Sequence, residues 1–151
     1  MHVSARADYA LRAAVELAVA TGDPVKRERL AEAQGIPAQF LEQILLDLKR
    51  ADLVRARRGP EGGFWLARPA GEITVADVIR AVDGPIAHVQ GTRPDRVEYS
   101  GSAEPLRDVW LAVRGNLREV LEAVTLAHLA RGEVPKHVAA IARRPQALEP
   151  R

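Results

Sequence analysis

Apolar residues at Ala7, Ala10, Leu11, Ala14, Val15 and Ala18 recur at three- and four-residue spacings, which predicts an amphipathic helix over about 5–20. Ser4 stands at its start as an N-cap, and Thr21-Gly22-Asp23-Pro24 closes it, with glycine and proline as the stop. A short helix is predicted over 26–34, with Leu30 and Ala33 turned inward and Gly35 just past its end. Gly35-Ile36-Pro37 then leads into a third helix over 37–51, where proline sits in the first turn and its missing N–H costs nothing. Phe40, Leu41, Ile44, Leu45 and Leu48 form the predicted buried stripe, while Gln39, Glu42, Gln43 and Asp47 occupy the other side. A short helix, a glycine turn and a helix with amides on its exposed face make a helix-turn-helix pattern.

The pattern then changes period. Leu53–Ala56 and Gly63–Ala67 read as two strands joined by Arg57-Arg58-Gly59-Pro60-Glu61-Gly62, a glycine- and proline-rich tip headed by two arginines. A hairpin placed directly after such a helix is a wing. Its glycines let the tip adopt positive φ and approach a sugar–phosphate wall closely, and an arginine there suits a narrow minor groove. Thr74 opens a helix over about 75–82 with Asp77 placed for a capping box, and Asp83-Gly84-Pro85 stops it.

Between Ile86 and Glu104 no periodicity survives, and Gly91, Pro94 and Gly101 mark a long loop. Beyond it, Leu106, Trp110, Val113, Leu117, Val120, Val124 and Ala127 follow a 4-3-4-3-4-3 spacing, broadened by Val109 and Leu121. This predicts a helix over 105–131, about 30–40 Å long, with Thr125 as an alternative cap for a separate last turn. A seam that outruns its own small domain pairs with a second copy; packing on the first helix is the alternative. Past Gly132 the prolines and arginines read as a loose tail. The organisation is therefore a winged helix-turn-helix domain (1–83), a loop (84–104), a dimerisation helix (105–131) and a flexible tail (132–151), mainly α with a small β-hairpin.

Composition narrows the function. Of 151 residues, 47% are hydrophobic and 28% charged, the profile of a soluble fold able to bury a core. The chain has no cysteine, so disulfides, thiolate zinc sites and cysteine nucleophiles are excluded. No apolar run approaches the roughly 18 residues of a membrane span. Met1 to Arg6 reaches a charge before any apolar stretch, so no signal peptide is expected and the expected location is the cytoplasm. No phosphate-cradling loop precedes a helix and no Ser-His-acid grouping is brought together by periodicity, so no catalytic residue is expected. The net charge is only +2, but Lys49, Arg50, Arg55, Arg57 and Arg58 face only Asp52 within one ten-residue stretch. That concentration is an electrostatic footprint for phosphate, and it falls where the third helix meets the wing. Gln39, Glu42 and Gln43 are the candidate major-groove readers, since glutamine pairs with adenine and glutamate accepts from cytosine N4. Arg57 and Arg58 are the wing candidates, with Arg58 the better placed for a minor groove because it directly precedes Gly59, and Ser4, Arg6 and Arg50 are the candidate phosphate contacts. His2, His128 and His137 show no metal-ligand spacing. A ligand pocket near Trp65, Tyr99 or Trp110 is a further expectation, with core packing the alternative for each.

Ser4-Ala5-Arg6-Ala7-Asp8-Tyr9-Ala10-Leu11-Arg12, Leu30-Ala31, Gly35-Ile36-Pro37, Phe40-Leu41-Glu42-Gln43-Ile44-Leu45, Gly59-Pro60-Glu61-Gly62-Gly63-Phe64 and the run from Ile73 to Gly84 occur in this order. Together they resemble the Rrf-two (Rrf2) family of bacterial winged-helix regulators, over about 1–131. The resemblance implies a homodimer crossing through the long helix, bound to an inverted-repeat operator in double-stranded DNA and most often repressing transcription. In cluster-binding members three cysteines lie in the loop matching Ile86–Glu104; this chain has none and offers His88, Asp95, Glu98 and Glu104 instead. Asp8 matches a position that supplies a carboxylate ligand in some members. Without thiolates these residues do not hold an iron–sulfur cluster, so no metal or cofactor is expected, and the effector is a small molecule or a partner protein. The competing reading is a protein-interaction module of the same fold with DNA binding weakened or lost; Arg57-Arg58-Gly59-Pro60 and the exposed amides favour DNA.

Overall fold

In the computed structural model, which describes residues 2–150, the chain opens with α1 (Ala5–Val19), α2 (Arg27–Gln34) and α3 (Ala38–Arg50). The strands β1 (Val54–Arg57) and β2 (Gly63–Leu66) pair antiparallel, with Val54 opposite Leu66 and Arg57 opposite Gly63. Then come α4 (Val75–Asp83), α5 (Leu106–Ala123), α6 (Leu126–Ala130), α7 (Lys136–Ala142) and α8 (Pro145–Leu148). Alanine-rich α1 lies at the centre: Ala7, Ala10, Ala13, Ala14 and Leu17 are buried against Leu41, Ile44, Leu45 and Leu48 of α3, Val78 of α4 and Leu126 of α6. Methyl-sized side chains let three helices approach one axis closely, which is how a domain this small closes around a single core.

The caps fall where the sequence places them. Ser4 Oγ accepts from the Ala7 N–H at 2.9 Å. Thr74 Oγ1 accepts from the Asp77 N–H at 3.1 Å while Asp77 Oδ2 accepts from the Thr74 N–H at 3.0 Å, a complete capping box. Two stripe assignments differ. Phe40 is 43% exposed, because it lies about 90° from the centre of the stripe formed by Leu41, Ile44, Leu45 and Leu48; its ring instead meets Tyr9, with centroids 5.8 Å apart. On α2 it is Ala31, beside Leu30, that packs on the core, while Ala33 is exposed.

The predicted 105–131 helix is broken. α5 stops at Ala123, and Val124 turns extended (φ −95°, ψ 120°) with its carbonyl accepting the Val75 N–H at 2.9 Å. The Leu126 N–H donates to the Ile73 carbonyl, also at 2.9 Å, and Thr125 caps α6 by accepting from the His128 N–H at 3.2 Å. Val124 is therefore buried inside its own chain and leaves the seam. Residues 84–104 are stitched along α5: Arg114 Nη1 donates to the Ile86 carbonyl at 2.6 Å and Arg107 Nη2 to the Asp95 carbonyl at 3.3 Å. Within the stretch read as a tail, α7 and α8 form two short helices.

A half-exposed ion cluster joins α5 to α4. Arg118 Nε donates to Glu122 at 2.9 Å and the Arg80 guanidinium donates to the same carboxylate. Arg118 first, then Arg80, hold the Glu122 carboxyl at about 2, well below its ordinary 4.5. A carboxyl whose value is lowered by folding stabilises the native state above its unfolded value and loses that contribution as pH falls. The gap in melting temperature between the native chain and Glu122→Gln should thus be full at pH 7 and close between about pH 5 and 2. Thermal melts across that range check it; a gap that is constant with pH would remove the ion cluster as its cause.

Candidate nucleic-acid interface

The wing has a third member. The Val25 N–H donates to the Phe64 carbonyl at 2.9 Å and the Phe64 N–H to the Val25 carbonyl at 2.8 Å, so the segment before α2 forms a bridge to β2. This ties the hairpin to the helix-turn-helix and fixes its height above α3. At the tip, the Gly62 N–H donates to the Gly59 carbonyl at 3.0 Å, and Gly59 takes φ +103°, a conformation glycine adopts without a Cβ penalty.

Between α3 and the hairpin lies an open groove of about 850 Å³. Five basic residues line it (Lys26, Arg27, Lys49, Arg57, Arg58) against two acids (Glu28 and Glu42), with Leu46 and Phe64 also on its walls. The groove brings together Glu42, Gln43, Arg57 and Arg58 from the sequence-predicted set. Gln39 and Arg50, both exposed, sit on α3 outside its lining. Ser4 and Arg6 are elsewhere and engaged: Ser4 caps α1 and donates to Asp83, and Arg6 is paired with Asp47 of α3.

The two wing arginines have different surroundings. Arg57 Nη2 donates to the Glu61 carbonyl at 3.0 Å and its guanidinium lies 6.0 Å from the Trp65 ring centroid. It therefore braces the tip. Arg58 is exposed, and no hydrogen bond or ion pair among the described residues holds it. On α3, Asp47 is the polar hub, receiving Arg6, Gln43 Nε2 at 3.1 Å and, loosely, Arg50 at 3.7 Å. Glu42 faces Arg27 at 3.8 Å, which offsets the repulsion a lone glutamate would present to phosphate. Sequence reasoning missed Lys26 and Arg27. Both are visible as charges before α2, but nothing in a linear scan joins them to a wing about thirty residues away.

Asp8 of α1 and the loop residues are differently engaged. Asp8 is ion-paired with Arg12, and His88 Nδ1 lies 3.2 Å from the Gly91 carbonyl within its own turn. Asp95 is held by Arg93 through two hydrogen bonds of 3.0 Å. Among the described residues no three His, Asp or Glu side chains converge as a metal site, and a chain without thiolates does not fit an iron–sulfur cluster. Tyr99 lines a polar hollow of about 440 Å³ with Arg96, Glu98 and Glu104, in which Trp65 and Trp110 take no part. A second hollow of about 440 Å³ lies where Val3, Ile79, Ile86, Leu117 and Leu121 meet, without an aromatic residue.

Comparison with known proteins gives the family and the fold. The family profile described as Rrf2, iron-dependent transcriptional regulator, matches residues 3–132. A candidate HTH-type transcriptional regulator of Mycobacterium tuberculosis, Rv1287, is 52% identical over 143 residues, covering 94% of this chain and 89% of that protein. The HTH-type transcriptional regulator CymR of Bacillus subtilis is 33% identical over 132 residues, covering 86% of this chain and 90% of CymR. The solved structure of CymR, the global cysteine regulator of B. subtilis, superposes with a TM-score of 0.72 over 87% of this chain and 98% of its own, at 32% identity. T. potens IscR gives 0.70 over 97% and 93%, at 31% identity.

Proposed function

The chain belongs to the Rrf2 family of transcriptional regulators, whose domain is a winged helix-turn-helix, and from that premise we propose that it is a homodimeric repressor that reads an inverted-repeat operator. The observation that carries this reading is the basic groove between the amide-bearing α3 and a wing whose tip offers an unengaged Arg58. Gln39, Glu42 and Gln43 enter the major groove and read base edges. Arg58 enters the adjacent minor groove, braced by Arg57, while Arg50 and Lys49 meet phosphates. Ser4 and Arg6 act at the start of α1, anchoring it to α4 and α3 and keeping its N-terminal turn in place. The two copies join through the α5 seam of Leu106, Trp110, Val113, Leu117 and Val120. The protein works in the cytoplasm by binding rather than catalysis. Its effector is a small molecule or a partner protein, not an iron–sulfur cluster, because its residues supply no thiolate.

A binding titration against an operator duplex and a scrambled duplex tests the assignment. Arg58→Ala should lose about 1–3 kcal/mol on the operator and little on scrambled DNA, whereas Arg50→Ala should weaken both alike. Affinity should also fall steeply as salt rises, because bound phosphates release counterions. Equal losses on both duplexes for Arg58→Ala would remove its reading role. Salt-independent binding, or none, would favour a protein partner for this surface.

A further inference from the structure

Lys26 is the N-cap residue of α2, with an extended backbone (φ −68°, ψ 145°) and no side-chain bond to the helix it precedes. Its Nζ donates to the Gly59 carbonyl at 2.6 Å. That oxygen also accepts the Gly62 N–H at 3.0 Å, so both of its lone pairs are used and the tip turn is closed from two sides. Arg58, which has no protein partner among the described residues, is bonded directly to Gly59.

Resting on the reading of the groove as a DNA surface, we propose that Lys26 is a positioning residue. Its ammonium clamps the wing-tip carbonyl and so sets where Arg58 meets DNA, instead of contacting phosphate itself. A cation at the edge of a basic groove invites the plainer role of one more phosphate contact. The geometry favours the clamp. The one hydrogen bond the ammonium makes, at 2.6 Å, goes to the tip carbonyl, which places its charge at the turn, and the neighbouring Val25–Phe64 bridge holds the adjoining backbone beside β2. The wing is thereby anchored twice on this side, by backbone at Val25 and by side chain at Lys26. Only the second anchor reaches the tip.

Lys26→Met keeps the stem and removes the donor. The first measurement needs no DNA: in the free protein, amide exchange at Gly62 should accelerate, since its acceptor turn loses its outer bond, while exchange in the core of α1 stays unchanged. The second uses a duplex enriched from a random-sequence pool by the native protein, beside a scrambled duplex. Affinity for the enriched duplex should fall about tenfold, within the roughly 5- to 150-fold that losing Arg58 costs. Scrambled-duplex affinity and its salt dependence should hold. The double variant Lys26→Met with Arg58→Ala should be no weaker than Arg58→Ala alone, because residues acting through one another are not additive.

Unchanged Gly62 exchange overturns the clamp. Equal losses on both duplexes, with the salt slope reduced by about one, overturn positioning in favour of a phosphate contact. A native protein that enriches no duplex overturns the DNA reading and the role of Lys26 in it. In that case accelerated Gly62 exchange shows that the failure lies with the DNA reading and not with the clamp.

Discussion

Alanine at Gly62 or Gly63 is expected to dismantle the wing, and with it most of the DNA affinity, while leaving the helical core folded. A Cβ on Gly62 would stand 2.0 Å from the Arg57 carbonyl oxygen and 2.8 Å from two backbone carbons. These are main-chain atoms of the hairpin itself, so no rotamer change relieves the clash. At Gly63 two costs coincide: φ is +149°, and the Cβ would meet the O, C and N atoms of Val25 at 2.8–2.9 Å. Those Val25 groups are the ones that bridge to Phe64, so the added methyl displaces the segment tying the wing to α2. Each substitution should cost about 2–3 kcal/mol, near the upper end for a single backbone-strain change. Gly59→Ala is the informative control. Its φ of +103° is equally unfriendly to a side chain, but nothing lies within 4 Å of where the alanine methyl would sit, so the substitution should cost about 1–2 kcal/mol for conformation alone. Denaturant unfolding followed by DNA titration checks the order. Gly62→Ala behaving like Gly59→Ala in both would mean that the hairpin yields more easily than its backbone contacts allow.

How much of this was legible in the sequence depends on how far apart the deciding residues lie. The bounds of α1, α3 and the hairpin follow from local periodicity and turn chemistry, and the Thr74–Asp77 capping box is a four-residue signal. The end of α5 is not local. The heptad spacing continues through Val124 and Ala127, yet two backbone hydrogen bonds to Ile73 and Val75, some fifty residues earlier, pull the chain out of the helix at Val124. The sequence held the other half of that signal in Thr125, whose side chain suits a cap as well as a helix interior. At the candidate interface, the density of charge near Arg57 and Arg58 could be counted. Arg58 already stands out by directly preceding Gly59; what residue order does not show is that Glu61 and Trp65 engage Arg57 and leave Arg58 without a partner among the described residues. That Asp47, forty-one residues away, meets the Arg6 guanidinium is likewise visible only in the fold. For Arg6 and for the end of α5, the deciding partner lies more than forty residues away; for Arg57 it lies within the hairpin itself, in a turn geometry that residue types alone do not specify.

Val113→Asp is expected to convert the proposed dimer to a folded monomer and to lower operator affinity by about ten-thousandfold or more. None of the residues of α5 is buried in the single chain. Leu106 and Val109 are 41% and 48% exposed, and Trp110, Val113, Leu117 and Val120 are only partly covered. None of the six belongs to the apolar shell packed on the core. α5 is held to its own domain through Arg107, Arg114 and Glu122 and, on the side of Leu117 and Leu121, through a hollow shared with Val3, Ile79 and Ile86, which leaves the rest of the seam uncovered. An 18-residue helix does not keep an apolar seam in water without cause; a second α5 crossing it would bury the seam, with α5 free to shift partners because its polar face is already satisfied. A carboxylate at Val113 would then be desolvated against its own symmetry copy, whereas in the monomer it would point to solvent. The thermal stability of the isolated domain should therefore change little. The DNA effect should be large because, under the proposed function, an operator with two half-sites is read by two wings at once. A specific affinity in the range of about 10⁻⁸–10⁻¹¹ M splits, for one copy, into roughly half the free energy. Sedimentation of the native chain and of the variant, followed by titration with a full operator and a half-site, separates these effects. A native chain that sediments as a monomer at micromolar concentration would sink the dimer. A variant that remains dimeric would place the interface off the α5 seam and leave the two-wing reading to another surface.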